Sequence, residues 1–179
     1  MKWARHSFLV AALAILGIWF WSMLFPGPEK LIRARLARTA RLTSFGAKQG
    51  ALSRMSSLSE FGGCFSPEAE VELEVSSFGQ LTLNGRGEIM RYGEMSRATP
   101  GELKVEFLDV DVMLSADRQS ATATLTARVT VPGDRDSTVQ GMKFWLKKIV
   151  KDWLIIRVET VKTLADINRQ ALANHCLNS

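Results

Sequence analysis

A run of 19 residues without a charged side chain, residues 7–25, lies close to the N-terminus of this 179-residue chain. At about 1.5 Å per residue, a helix of that length measures about 28 Å, and a bilayer hydrocarbon core is about 30 Å thick. Trp3 precedes the run, and Trp19 and Trp21 lie towards its other end, as aromatic side chains do at the headgroup level. The run therefore predicts one transmembrane helix, preceded by a basic tail at residues 1–6.

A cleavable signal peptide is the competing interpretation, because Lys2 and Arg5 precede the apolar run. Signal peptides usually have an apolar core of about 7 to 15 residues, followed by a cleavage site with small residues. Here the run is longer, and the sequence PGP follows it at residues 26–28. We therefore favour a retained anchor with a short linker at 26–28 and one water-soluble domain after it.

Basic residues crowd the stretch that follows the predicted anchor, and anionic lipid is the simplest partner for such a patch. The residues that predict this membrane-surface site are Lys30, Arg33, Arg38 and Arg41. Their number favours a cytoplasmic domain under the positive-inside rule, whereas a short basic tail before a single span argues for the opposite orientation. We favour an extracytoplasmic domain and keep the cytoplasmic one as the alternative.

The residues after the linker number about 150, the usual size of one domain. Hydrophobic residues make up 46% of the chain and charged residues 23%, which predicts a packed core. Basic and acidic residues are interleaved beyond the juxtamembrane patch, so nucleic-acid binding has little support. Cys64 and Cys176 lie far apart without a CxxC spacing, so they predict no metal site; they form a disulfide or, as we favour, stay free, with Cys64 as a small core residue.

Hydrophobic periodicity predicts two helices, residues 29–43 and 47–60, ahead of a set of strands. Residues 68–75 alternate apolar and acidic side chains as a half-buried strand does. A short strand at 80–83, a turn and cap at 84–87 and a helix at 88–98 follow. Four long strands in a meander complete the domain, at residues 102–114, 120–131, 138–149 and 153–161. A tail or short helix at 165–179 ends the chain.

This order of elements resembles the nuclear transport factor 2-like superfamily, which includes the SnoaL-like domains. The segments that carry the resemblance are LNGRGEIMRY at 83–92, FLDVDVML at 107–114, TATLTARVTV at 122–131 and DWLIIRVETV at 152–161. The resemblance covers residues 29–164 and implies an α+β fold, in which helices pack on a curved antiparallel sheet and form a cone with an apolar pocket. Members include isomerases, dehydratases, hydrolases and noncatalytic binding or assembly domains, so the resemblance supports the fold more than an activity.

Strand alternation predicts which residues of the meander face the inside of the cone. The inward residues are Leu108, Val110, Val112, Leu114, Ala121, Ala123, Leu125, Ala127, Val129, Val131, Met142, Phe144, Leu146, Leu154, Ile156 and Val158. The outward residues are Asp109, Asp111, Thr122, Thr124, Thr126, Arg128, Lys143, Trp145, Lys147, Arg157 and Glu159. Apart from Glu106 and Lys148 at its margins, the inward face carries no ionisable residue.

Enzymes of the superfamily, as the resemblance implies, hold an Asp, Glu or His inside the cone to move protons. Asp109 and Asp111, with Arg157 nearby, are the catalytic candidates, but cross-strand charge pairing on an outward face explains them more simply. A bulge near Asp109 would invert the alternation of its strand. We therefore expect no catalytic, cofactor or metal site and keep these three residues as candidates if the chain is an enzyme.

The outward face of the meander carries one aromatic residue among charges. Trp145 is flanked by Lys143 and Lys147, with Glu159 on a neighbouring strand, which predicts an interaction face and a homodimer through the open sheet. The alternative is that the indole ring lies along Arg157 or Thr126.

Together these features predict a membrane-tethered, noncatalytic binding or assembly module, with a small apolar ligand as one candidate partner. The alternative function is an isomerase, dehydratase or hydrolase that acts on an apolar substrate.

Overall fold

The computed structural model describes residues 27–46, 50–75, 79–98, 101–131 and 137–161. The predicted transmembrane run at 7–25 lies outside the described residues, as do the predicted C-terminal segment at 165–179 and Cys176. No helix within the described ranges is long and apolar enough to cross a membrane.

Three helices are present in the described part of the chain: α1 Pro28–Thr43, α2 Ala51–Gly62 and α3 Gly85–Ala98. The predicted helix at 29–43 is confirmed almost to the residue, and α2 overlaps the predicted 47–60 but extends two residues further. Helix α3 begins at Gly85, so the residues predicted as turn and cap belong largely to its first turn. Gly85 has φ +80°, a conformation that favours glycine, and the Glu88 carboxylate accepts a 2.8 Å hydrogen bond from the backbone N–H of Asn84.

Six strands of the described residues form a single sheet. They are β1 Phe65–Val75, β2 Gly79–Asn84, β3 Lys104–Leu114, β4 Ser120–Thr130, β5 Thr138–Ile149 and β6 Asp152–Val161. Their order is β2-β1-β6-β5-β4-β3, and the predicted antiparallel meander of β3 to β6 is confirmed. Strand β1 pairs with β6 in parallel, so the sheet is mixed and not wholly antiparallel as the resemblance implied.

The core lies between the helices and one face of the sheet, called here the inner face. Ile32 and Leu36 of α1 belong to the same buried cluster as Leu146 and Ile155 of the sheet. Cys64, just after α2, is buried in this cluster as a free thiol, as predicted for a small core residue. Burial of these apolar surfaces against the sheet is the main term that holds the helices in place.

A β-bulge interrupts β3 and changes which of its residues face the core. Leu108 lies opposite Thr126, but the next paired residue, Asp111, lies opposite Thr124, so β3 has one extra residue at this point. Asp109 has φ 51° at the bulge. The prediction that Leu108 faces inward is therefore wrong: Leu108 lies on the outer face, and Phe107 packs against the core instead.

A second bulge lies in β6, at Ile156. Trp145 lies opposite Arg157 and Leu146 lies opposite Ile155, which leaves Ile156 as the extra residue. Trp153 and Ile155 are consequently buried in the core, together with Val158. The prediction that Leu154 and Ile156 face inward is wrong, because one inserted residue shifts the alternation of every side chain before it.

Candidate functional site

A partly open cavity of about 290 Å³ lies between the three described helices and the inner face of the sheet. This volume lies just below the usual range for small-molecule sites, roughly 300 to 1,000 Å³. Val71, Ala127, Phe144 and Val158 line it from the sheet, and Phe61 lines it from α2. The sequence predicted an apolar inner face, and the structure shows that the side chains on it do not fill the space beneath the helices.

Most polar groups on the cavity wall are satisfied within their own helix. The Thr39 hydroxyl donates to the carbonyl of Arg35 at 3.0 Å, and the Thr43 hydroxyl donates to the carbonyl of Thr39 at 2.9 Å. The Ser96 hydroxyl likewise donates to the carbonyl of Tyr92 at 2.9 Å. These hydroxyls therefore offer a ligand only their remaining acceptor capacity.

Two of the described residues that line the cavity are ionisable, Tyr92 and Arg97, and both belong to α3. No carboxylate, imidazole or thiol from the described part of the chain lines it. General bases in enzymes are most often His, Asp or Glu, and the two ionisable residues of the described wall are of none of these types.

Arg97 lies where α3 meets α1 and α2. Its Nη2 atom donates a hydrogen bond to the backbone carbonyl of Leu42 in the last turn of α1, and its guanidinium carbon lies 5.9 Å from the centre of the Phe61 ring. Its Nη1 atom is buried and has no hydrogen-bond partner within the described residues. Burial lowers the pKa of Arg97 below its ordinary value, because the charged form loses hydration. Sequence reasoning missed this residue, since nothing in its spacing sets it apart from other arginines on polar helix faces.

The three catalytic candidates are not brought together by the fold. Asp109 and Asp111 lie on β3 with exposed side chains, and the bulge at Asp109 does not carry either carboxylate into the cone. Arg157 lies on β6, and strands β4 and β5 intervene, which corresponds to about 14 Å across the sheet. Within the described ranges no group of three or more His, Cys, Asp or Glu side chains is arranged to hold a metal ion.

Arg157 is instead the centre of an ion-pair network on the outer face of the sheet. Its guanidinium lies 3.2 Å from the carboxylate of Glu70, 3.3 Å from that of Glu72 and 3.4 Å from that of Glu159. These three glutamates come from β1 and β6, which pair in parallel at this point. The network thus links the β1–β2 hairpin to the meander by cross-strand charge pairing.

The predicted interaction face lies beside this network. The half-buried Trp145 ring has the Lys143 ammonium 4.7 Å from its centre and the Arg157 guanidinium 5.8 Å from it, both within cation–π range. Lys147 is exposed on the same strand, two residues further along. The ring therefore lies along Arg157, as the alternative interpretation describes, and the use of this face for contacts stays a prediction.

Two of the four predicted membrane-surface residues have partners within the domain. Arg38 donates to the Glu60 carboxylate on α2 at 2.8 Å, which raises the pKa of Arg38, and Arg33 donates to the carbonyl of Val110. Lys30 and Arg41 are exposed on α1. These internal contacts place α1 against α2 and β3 and give its basic residues a role within the fold besides any contact with lipid.

The helical pattern places Arg35 on the apolar side of α1. An ion pair accounts for the presence of a charged residue there. The Arg35 guanidinium lies 3.1 Å from the carboxylate of Asp152, the first residue of β6. The Arg35 side chain is largely buried and that of Asp152 largely exposed, so the pair lies at the edge of the core. A charged residue on this side of α1 is therefore accommodated by an ion pair with the sheet.

Solved structures resemble this chain in fold. A domain of unknown function with a cystatin-like fold from Nostoc punctiforme aligns with a TM-score of 0.62 and 20% identity, over 84% of this chain and 86% of that one. An NTF2-like protein with a cystatin-like fold from Novosphingobium aromaticivorans aligns with a TM-score of 0.60 and 16% identity, over 89% and 93%. An NTF2-like protein of unknown function from Pseudomonas putida aligns with a TM-score of 0.57 and 13% identity, over 74% and 84%.

No protein-family model and no curated protein matches the sequence. At these identities the structural likenesses speak for the fold alone. They agree with the three helices and the six-stranded mixed sheet of the described residues. The described part of the chain therefore has an α+β fold of the NTF2-like, cystatin-like type.

Proposed function

We propose that the domain is a noncatalytic module that binds a small apolar molecule in its cavity, and that residues 7–25 tether it to a membrane. The observation that carries the binding proposal is the cavity of about 290 Å³, walled mainly by apolar side chains. Apolar space that side chains do not fill forfeits packing energy, and a ligand of matching shape would restore those contacts. The membrane proposal is carried by the uncharged 19-residue run.

The absence of an acidic group from the described cavity wall favours binding over catalysis. Proton transfer at neutral pH needs a positioned group whose pKa lies near the working pH. The alternative function, an isomerase, dehydratase or hydrolase, would depend on the hydroxyl of Tyr92, the one tyrosine among the described residues of the cavity wall. Tyr92 is 41% exposed, however, so this residue is not sequestered from solvent.

Binding of an apolar probe tests the first part of the proposal. We expect 1-decanol to stabilise the full chain, held in lipid nanodiscs, by about 2.7 kcal/mol when its free concentration is 100 times the dissociation constant. Unfolding by urea is monitored through tryptophan fluorescence. The free decanol concentration is fixed by dialysis against empty nanodiscs. Tetraethylene glycol, a polar probe of similar length, should leave the unfolding midpoint unchanged. An equal midpoint with and without decanol would contradict the proposal.

Membrane tethering is tested by fractionation of cells that express the chain with an N-terminal epitope tag. We expect the tagged full chain to remain in the membrane pellet after alkaline carbonate extraction, and a variant that lacks residues 2–26 to move to the soluble fraction. A soluble chain that has lost its tag would identify a cleaved signal peptide and refute the anchor. A C-terminal alkaline phosphatase fusion reports the orientation, since activity is expected only for the extracytoplasmic domain that we favour.

A further inference from the structure

Arg97 differs from three other arginines of the domain, each of which pairs with a carboxylate. Arg35 pairs with Asp152, Arg38 pairs with Glu60, and Arg157 pairs with three glutamates. Arg97 lies on the cavity wall, and no carboxylate among the described residues lies within 4.0 Å of its guanidinium. Among the described residues, the wall of the cavity thus carries one cation and no anion to balance it.

The contacts that Arg97 does make leave part of its hydrogen-bonding capacity unused. Its Nη2 atom is satisfied by the carbonyl of Leu42, and the Phe61 ring offers a cation–π contact. Its Nη1 atom is buried without a partner. A buried charged donor that lacks an acceptor is unfavourable, because it has lost water and gained nothing in return.

A ligand carboxylate would supply the hydrogen-bond acceptor and the negative charge that the described residues do not offer to Arg97. It carries two acceptor oxygens and one negative charge, and a hydrogen bond between guanidinium and carboxylate is stronger than one between neutral groups. Arginine stays charged when buried, so the cation persists at neutral pH even though burial lowers its pKa. A ligand with two negative charges would leave one of them unpaired in an apolar site, which is costly.

We infer that the ligand of the cavity is an amphipathic monoanion, with a single carboxylate that pairs with Arg97 and an apolar body that lies among the remaining wall residues. This inference rests on the proposed function, namely that the cavity binds a small apolar molecule. It adds the chemical class of the ligand and the residue that selects it. Arg97 is the residue that distinguishes an apolar acid from an apolar alcohol of the same length.

Decanoate and 1-decanol form the matched pair of probes for this inference. Both are measured at neutral pH by equilibrium dialysis of the full chain in lipid nanodiscs against empty nanodiscs. We expect decanoate to bind at least about tenfold more tightly than decanol, the factor that one charge-assisted hydrogen bond supplies. This comparison uses the wild-type chain alone, so it holds even if a variant at this position fails to fold.

Substitution of Arg97 then assigns the preference to its side chain. We expect Arg97→Met to weaken decanoate binding about tenfold and to leave decanol binding nearly unchanged, while Arg97→Lys, which keeps the charge, retains most of the preference. Arg91→Met is the matched control, because Arg91 is an exposed arginine on the same helix, and it should change neither affinity.

The outcomes distinguish the inferred carboxylate ligand from the proposed binding of a small apolar molecule. Equal affinity of the wild-type chain for decanoate and decanol would overturn the inference. Arg97 would then serve only to connect α3 with α1 and α2, and the proposed function would be unaffected. Failure of the wild-type chain to bind either probe would overturn both. Loss of decanoate binding in Arg91→Met as well would show that general surface charge, and not Arg97, attracts the anion.

Discussion

Replacement of Ile155 by alanine is expected to lower the free energy of unfolding by about 3 kcal/mol, within the range for large-to-small changes in a packed core. Ile155 is 0% exposed and lies opposite Leu146 on β5 and Phe65 on β1, which are buried as well. Its backbone N–H donates to the carbonyl of Cys64 at 2.9 Å, so the main chain is held and the cavity left by the substitution has little freedom to collapse. Urea unfolding of the full chain in nanodiscs measures the change.

Ile156 provides the matched control for this measurement, because it is the same residue type one position along the same strand. It is the inserted residue of the β6 bulge and is half-buried, away from the core cluster. Ile156→Ala should therefore cost about 1 kcal/mol or less. Equal losses at the two positions, or a larger loss at Ile156, would show that β6 follows regular alternation and that the bulge is misplaced.

The β6 strand also shows where sequence reasoning succeeds and where it stops. Its limits are read correctly, because charged and turn-forming residues bound a continuous β-prone segment. The face of β6 that is buried is not predicted correctly. Trp153, Leu154, Ile155 and Ile156 are all apolar, and either alternation would bury two of them. The bulge that decides between them is set by pairing with β5 and β1, and that information is nonlocal.

The same limit applies in β3, where Phe107 and Leu108 are adjacent apolar residues ahead of Asp109. A regular strand assigns Leu108 to the core, and the bulge assigns Phe107 instead. The parallel pairing of β1 with β6 cannot be predicted from the sequence either. Residues 68–75 show the alternation of a half-buried strand, and this alternation is the same whichever strand lies beside them. Local patterns thus specify elements, whereas register and neighbours follow from the packing of the whole sheet.

The candidate site illustrates a further limit. The apolar character of the inner face can be predicted from alternation, but whether the side chains on it meet the helices or leave a cavity depends on distances between elements. Arg97 contributes to the cavity because α3 places it beside Phe61 of α2 and the last turn of α1. These three segments are brought together only by the tertiary fold, so the one cation of the described cavity wall carries no recognisable sequence signal.

Substitution of Ala127 by leucine, which would fill part of the cavity, is expected to weaken binding of the apolar probe with little loss of stability. Ala127 is buried on β4 and lines the cavity, so the larger side chain of Ala127→Leu has empty space to enter. We expect the free energy of unfolding to change by less than about 1 kcal/mol, because the added apolar contacts offset the strain of insertion. The affinity for 1-decanol should fall at least about tenfold, since the leucine occupies the volume that the probe needs.

Ala123 is the matched control, four residues earlier on the same strand and the same face. It is 0% exposed, lies opposite Phe144 on β5 and does not line the cavity. Ala123→Leu should therefore overpack the core and cost about 1 to 3 kcal/mol, whereas Ala127→Leu should not. Equal destabilisation by the two substitutions would mean that the cone is filled at Ala127 and that the cavity is not a binding site. Unchanged decanol affinity in a stable Ala127→Leu variant would mean that the probe binds elsewhere on the chain.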